Sequence, residues 1–431
     1  MKKKVLIVTY YWPPAGGPGV QRWLKFVKYL PQFNIQPFVF IPENPNYPIE
    51  DSSLLREVPK EIKVFKKKIL EPYSLAKLVT KSKTNKLSSG IISETKKQTK
   101  LEQIMLYVRG NFFIPDARKF WVKPSIKEIN RILKNEKIDT IITSGPPHSL
   151  HLIGLGLKKE HQSLHWITDF RDPWTTISYH DELKLTEVSK EKHKALEADV
   201  LHHANQIIVT SSITKEEFQQ KTLVPVHLIT NGFDDRPYKE QPELDEHFTF
   251  AHIGSLMSER NPIVLWKVFS DLVEENQDFA AFFELNLIGK TATNVIGSIA
   301  KHGLQEFLTI TDYLPHEEAL KKQEQKQVLV LIEKNQPETR GIIPAKLFEY
   351  MSAKRPILAI GPKNWEVRKI LAHTNAGACF DYADYDGIKN HLKKLLSLFL
   401  KEKLEVASTQ IEDYSRKRLT QKLAAIIPNT N

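Results

Sequence analysis

The run Val328-Leu329-Val330-Leu331-Ile332, with Arg340-Gly341-Ile342-Ile343-Pro344-Ala345-Lys346-Leu347-Phe348-Glu349-Tyr350-Met351-Ser352-Ala353-Lys354-Arg355-Pro356-Ile357-Leu358-Ala359-Ile360-Gly361 shortly after it, decides the fold class. A continuous apolar run of strand length is the pattern of a parallel strand buried on both faces. The second stretch reads as loop, short helix, turn and strand. Gly341 lets backbone approach a ligand closely. Pro344 suits a first helical turn, where its missing N–H costs nothing. The helix start then offers free N–H groups and a positive dipole end to an anion. Lys346 and Glu349 stand three apart and share a face. A cation there suits a pyrophosphate, and a carboxylate one turn in suits ribose hydroxyls. The competing reading is an ordinary strand–loop–helix–strand unit with a surface ion pair.

With 431 residues, 41% hydrophobic and 26% charged, the chain is globular in composition and too long for one core, so two domains are expected. A single cysteine, Cys379, excludes an internal disulfide and any metal site built on cysteine pairs, and suggests a reducing compartment. Met1-Lys2-Lys3-Lys4 before Val5-Leu6-Ile7-Val8 is too short an apolar run for a secretory leader and reads as a first strand. No window approaches the length of a membrane span. The net charge of +11 is concentrated from Lys60 to Lys68 and from Lys81 to Lys100. The second of these reads as a solvated loop or a membrane-contacting patch. The basic residues are not interleaved with aromatics as a stacking platform, so nucleic acid is not the expected partner.

Two series of strands and helices follow. In the first, strand Val5–Thr9 leads through a loop containing Gly16, Gly17 and Gly19 into a helix marked by Val20, Trp23, Leu24, Val27 and Leu30. A glycine loop between strand and helix N-terminus accommodates phosphate. It is not G-x-G-x-x-G, and strand Phe38–Ile41 ends without an acidic residue, so a dinucleotide site is disfavoured. Residues 44–80 read as irregular. The stretch from Arg109 to Trp121 is either a packed elbow or an acceptor surface. Strand Lys137–Thr143 ends at a loop carrying His148, where a doubly wound sheet binds ligands. Strand His165–Thr168 ends in Asp169, Arg171 and Asp172. These could orient sugar hydroxyls or form an internal Arg–Asp network. Thr214 and Glu217 suggest a capping box. Charged, proline-containing residues 235–247 read as a linker.

The second series opens at Phe248–Ile253 and continues through Gly254-Ser255 to Arg260, Asn261 and a helix. Arg260 beside that helix is a natural phosphate contact. Strands at Phe283–Ile288 and Phe307–Ile310, the opening stretch and Ala378–Phe380 follow. A helix then carries Ile388, Leu392, Leu395 and Leu396 at apolar spacing. Tyr414–Ile427 is amphipathic and basic.

Taken together, these motifs resemble the retaining glycosyltransferases of family four, over essentially the whole chain. The Pro344–Tyr350 segment looks like the variant common in envelope-polysaccharide transferases. The resemblance implies the GT-B fold: α/β, two Rossmann-like domains facing each other across a cleft, with the last helix crossing back to the first. It implies an acceptor-side domain over 1–234, a linker over 235–247, a donor-binding domain over 248–410 and a returning helix within 411–431. It places Gly16, Gly17, Gly19, Ser255, Arg260, Asn261, Pro344, Lys346, Leu347 and Glu349 on the donor. The family's usual arginine falls on Ser255 and its usual lysine on Arg260. The first of its paired glutamates falls on Gly341 and is missing. Glu349 matches the second, beside the ribose. His148 is the nearest match to the N-domain histidine of some relatives and joins Asp169, Arg171 and Asp172 as the catalytic or acceptor-orienting set.

The activity so implied is transfer of a sugar, with retention, from a nucleotide diphosphate sugar to a hydroxyl. The acceptor would be a sugar or lipid-linked sugar in cell-surface polysaccharide or glycolipid assembly. No metal or other cofactor is expected, and the expected place is the cytoplasm, with peripheral contact at the inner face of the membrane. Two rivals stay open. One is a nucleotide-sugar epimerase on the same fold; the other is a non-catalytic partner subunit.

Overall fold

The computed structural model of the chain describes residues 2–71, 100–176, 183–234 and 243–428. Residues 81–99 of the lysine-rich segment and 235–242 of the expected linker lie outside them. The chain divides into two compact units, Met1–Asn231 with Arg416–Asn431, and Gly232–Ser415. Residues 243–247 are tied to the second unit: Asp245 takes the Lys326 amine at 2.8 Å and the Thr249 hydroxyl at 2.9 Å.

The first unit is a seven-stranded parallel sheet. Its strands are β1 Lys3–Val8, β2 Ile35–Pro42, β3 Lys63–Lys67, β4 Thr140–Gly145, β5 His165–Phe170, β6 Gln206–Val209 and β7 Val226–Leu228. Their spatial order is β3-β2-β1-β4-β5-β6-β7. The strand order reverses between β1 and β4, while the strands stay parallel, which makes that pair the topological switch point. The apolar runs feed both faces, as the pleat requires. Val5 and Ile7 enter one core cluster, and Leu6 and Val8 the opposite one. Helix Arg416–Ile426 covers the Val5/Ile7 face with Leu419, Leu423 and Ala424. Its last carbonyls are bonded by Gln206 Nε2 at 2.7 Å (Ile426) and by Lys3 Nζ at 3.0 Å (Ile427).

Two local expectations fail here. Residues 63–67 form β3, an edge strand, where an irregular segment is expected. Lys63-Val64-Phe65-Lys66-Lys67 has too many lysines for a core strand, but lysines suit an edge that must not recruit another chain. The cap of helix Ser212–Lys221 is Ser211, whose hydroxyl accepts from the Thr214 N–H at 3.1 Å, so Thr214 lies inside the helix and opens no box of its own.

The second unit is a six-stranded parallel sheet: β8 Phe248–Ile253, β9 Phe283–Ile288, β10 Leu308–Thr311, β11 Val328–Ile332, β12 Ile357–Gly361 and β13 Gly377–Asp381. The order β10-β9-β8-β11-β12-β13 puts the switch point between β8 and β11. All five residues of β11 are buried, alternating between the two core clusters. Helix Tyr385–Phe399 buries Ile388, Leu392, Leu395 and Leu396 as its spacing predicts. Cys379 is buried on β13, and burial pushes its thiol up to about 11, which makes it inert.

Candidate functional site

In the second unit the switch point gathers charged groups at the carboxyl ends of β8 and β11. His252, on β8, is buried. It lies 3.0 Å from the Val330 carbonyl through Nδ1 and 3.3 Å from Lys346 Nζ through Nε2. That network assigns the proton to Nδ1, which donates to the carbonyl while Nε2 accepts from the amine. Burial, then the Lys346 charge, hold the imidazole well below its usual range, so it stays neutral. Lys346 opens the seven-residue helix Lys346–Ser352. Its amine reaches back across Gly254, where an added Cβ would stand 2.5 Å from Nζ. Gly254 has φ 127°, which also favours glycine. Burial, and then the Arg260 charge, lower the Lys346 pKa to about 8, against the pull of Glu349 and Glu333.

Arg260 is forked onto Glu333 at the end of β11, with Nε to Oε1 at 3.0 Å and Nη2 to Oε2 at 3.2 Å. Glu333 is buried, so the pair is largely self-neutralised. Lys346 is thus the better-placed cation for a phosphate. Glu349 sits one turn on, accepting from Gln323 Nε2 at 3.2 Å and lying 3.0 Å from His316 Nε2. Its carboxylate is partly exposed and held in place from both sides. His316, Gln323, His252 and Glu333 carry no signature in sequence: each is recruited by strand order, from positions far along the chain.

Two expected donor residues turn their side chains elsewhere. Leu347 is fully buried in the core with Phe348 and Met351, so it packs the helix and cannot touch a ligand. The Asn261 side-chain oxygen accepts from Trp266 Nε1 at 2.7 Å, which turns it onto its own helix. Pro344 precedes the helix, and its carbonyl takes the Leu347 N–H at 3.0 Å. Ser255 is exposed at the β8 end.

In the first unit the switch point holds the glycine loop. Gly17 has φ 97° and precedes helix Pro18–Tyr29. Gly16 packs on Ile49, and its N–H donates to the Ile49 carbonyl at 3.0 Å. A side chain at Gly19 would overlap the Arg171 guanidinium. Arg171 is anchored on the Gly145 carbonyl at 3.3 Å and on that of Pro146, and its guanidinium lies 5.7 Å from the Tyr11 ring. Asp172 is partly exposed and has no hydrogen-bond partner among the described residues. Burial raises its pKa, with Asp169 adding and Arg171 opposing. A carboxyl poised upward at a strand end suits proton transfer. Its loop is pinned just beyond: Trp174 Nε1 donates to His193 Nδ1 at 3.0 Å, and Thr175 bonds Glu197 through its N–H and hydroxyl.

Asp169 and His148 do not share this exposure. Asp169 is fully buried. Its oxygens accept from Arg22 Nη2 (2.8 Å) and Nε (3.3 Å), Trp23 Nε1 (3.0 Å) and the Ser144 hydroxyl (2.8 Å). The internal network is therefore the correct reading of Asp169, with Arg22 as its partner. Arg22 also donates to the Ile229 and Thr230 carbonyls at 2.9 and 2.7 Å. His148 is buried, its ring parallel to Trp174 at 4.8 Å, so an acceptor hydroxyl does not reach it in this arrangement.

Behind it, Thr143 accepts from Trp166 Nε1 at 2.9 Å and lies 2.9 Å from His151 Nδ1. Burial depresses His151 to about 3. The unfolded ring protonates near about 6.5, so acid favours the unfolded chain. Stability is complete above that pH and is lost as pH falls toward 3. We expect His151→Leu to remove up to about 1.4 kcal/mol per pH unit of that slope, read by urea unfolding between about pH 4 and 6.

The stretch from Arg109 to Trp121 packs in part as an elbow, around buried Ala117, Arg118 and Trp121, and leaves Phe112 and Phe120 exposed. Asp116 accepts the Ser149 N–H and hydroxyl at 2.9 Å, and buried Arg118 pairs with Glu71 at 3.1 Å.

No family model matches the chain, and no curated protein matches its sequence. Solved structures do match. A glycosyltransferase from Rickettsia africae aligns over 99% of this chain and 97% of its own, with TM-score 0.61 and 12% identity. Anabaena HepE, solved with UDP and glucose, aligns over 98% of each chain, with TM-score 0.60 and 13% identity. A Listeria monocytogenes protein named as a UDP-N-acetylglucosamine 2-epimerase covers 99% and 96%, with TM-score 0.56 and 11% identity. At such identities the likeness is one of fold: two Rossmann-like parallel-sheet units, the architecture of GT-B glycosyltransferases.

Proposed function

We propose that this chain is a retaining glycosyltransferase that moves a sugar from a nucleotide diphosphate sugar to a hydroxyl of a sugar or lipid-linked sugar acceptor. The observation that carries the reading is the Lys346 amine lying across Gly254 at the second switch point, with Glu349 one turn away. Lys346 takes the donor's diphosphate and Glu349 its ribose. The anomeric C–O bond to the β-phosphate breaks, and the electron pair leaves with the nucleoside diphosphate. Lys346 stabilises that charge. The acceptor oxygen bonds the anomeric carbon from the same face and gives up its proton; on the first unit Asp172, beside Arg171, is the carboxylate suited to take it. The reading calls for no metal. The HepE structure with UDP and glucose supports a nucleotide-sugar ligand on this fold. The Listeria neighbour supports the epimerase alternative.

Thermal unfolding with UDP-, GDP- and other nucleotide sugars tests the donor half. One of them at about 100 times its Kd adds about 2.7 kcal/mol of apparent stability, and Glu349→Ala blunts it. No response to any nucleotide sinks the donor site and favours the non-catalytic subunit. Epimer formation without acceptor favours the epimerase. For transfer itself, Asp172→Asn lowers kcat about 10²–10⁴-fold while leaving donor affinity in place. Because its pKa is raised, the wild-type rate falls on the acid side.

A further inference from the structure

Helix His316–Gln325 carries His316 and Gln323 two turns apart on one face. Both reach Glu349. Gln323 Nε2 donates to Oε2 at 3.2 Å, and His316 Nε2 lies 3.0 Å from Oε1. An ionised carboxylate only accepts, so His316 carries its proton on Nε2 and donates it. Each oxygen thus takes a donor from the same helix. The carboxylate cannot turn about its own axis without giving up both bonds. Glutamate is rich in rotamers, and fixing it before a ligand arrives removes that ordering cost from binding. The two arms of this clamp differ. Gln323 is 1% exposed and belongs to the interior, whereas the His316 side chain is 35% exposed at the start of its helix. His316 can therefore be changed without opening the core.

We propose that His316 is a positioning residue for ribose recognition. With Gln323 it holds Glu349 in the orientation that accepts from both hydroxyls of a nucleotide ribose. The donor class is then ribonucleoside diphosphate sugars, and 2′-deoxyribose nucleotides, thymidine diphosphate sugars among them, are refused. This rests on the assignment of Glu349 to the ribose. The selection follows from the clamp. A carboxylate held from both sides cannot swing to another donor when one hydroxyl is missing, so the lost bond is not replaced. A loosely held carboxylate would turn, find a new partner and discriminate weakly.

The test is calorimetric titration of the intact chain with UDP, GDP and their 2′-deoxy forms. The ribonucleotide that binds should do so at least about tenfold more tightly than its 2′-deoxy form. His316→Phe keeps a flat ring and removes the donor. It should weaken the ribonucleotide about tenfold and leave the 2′-deoxy form within about threefold of wild type, so the preference nearly disappears. His316→Gln, which returns an N–H close to the place of Nε2, should recover it. A wild-type preference below about threefold, or the same preference in His316→Phe as in wild type, overturns the proposal. So does an equal loss of both ligands in His316→Phe without recovery in His316→Gln, the mark of a merely structural contact. Glu349→Ala separates the two assignments. If it weakens the ribonucleotide while His316→Phe behaves as wild type, the ribose contact stands and the positioning role falls. If it binds as wild type, or if the wild type binds no nucleotide, the ribose contact falls and the positioning role with it.

Discussion

Lys346→Ala weakens binding of a nucleoside diphosphate about a hundredfold. The reason lies in how few uncommitted cations the site offers. Arg260 already satisfies a buried Glu333 through both arms of its fork. Among the described residues the Lys346 amine bonds neutral His252 at 3.3 Å and faces the β8 end across Gly254. Removing a charge that is desolvated against a ligand costs about 2–5 kcal/mol. Arg260→Ala behaves differently: it leaves Glu333 buried and unpaired, so stability falls together with binding. The pH profile separates Lys346 from any other cation. Its free amine titrates at about 8. Affinity therefore holds below that pH and drops up to tenfold per unit above it, until the bound form also loses its proton. Calorimetric titration with UDP or GDP between about pH 6 and 10, on wild type and variant, reads both effects. A flat profile, or a variant that binds as well as wild type, removes Lys346 from the phosphate.

Asp169→Ala destabilises the first unit by about 3–5 kcal/mol, because it leaves the buried Arg22 guanidinium without its counter-charge. For a unit of this size that corresponds to a fall of about 2–4 °C in Tm per kcal/mol. Asp169→Asn keeps the shape and loses the charge, so it should fall in between. A double change of Arg22 and Asp169 to apolar residues of similar volume should cost less than the sum of the single changes. The opposite result is a stable Asp169→Asn protein that binds donor and fails in transfer. That would return the carboxylate to the acceptor.

The fold was readable because the strands that matter are continuous apolar runs. Val328–Ile332 and Ile357–Gly361 have no polar position at which to hide their type. The edge strand β3 was not readable, since lysine in sequence signals solvent and only an edge reconciles it with pairing. The site was legible in its helix-borne parts: Lys346 and Glu349 keep the spacing that puts them on one face. It was misread where side chains have more than one use. Asp169 and Asp172 are three residues apart at the same strand end. One is sealed in by Arg22 and Trp23 from a distant helix, while the other is left partly open. Leu347 sits between two polar candidates and takes the core side of the same helix. Nothing local distinguishes these outcomes; they are decided by which element packs opposite.

The return of Arg416–Ile426 to the first unit has a consequence for how the chain is made. The Val5/Ile7 face of the first sheet waits for Leu419 and Leu423. All of Gly232–Ser415 emerges from the ribosome before them. At about 5–20 residues per second that interval is on the order of ten to forty seconds. During it the second unit has every strand it needs, while the first, though begun earlier, still shows an uncovered apolar face. The order of completion is then the reverse of the order of synthesis. Splitting the gene product after Asn231 would yield one self-sufficient fragment and one in need of its missing helix.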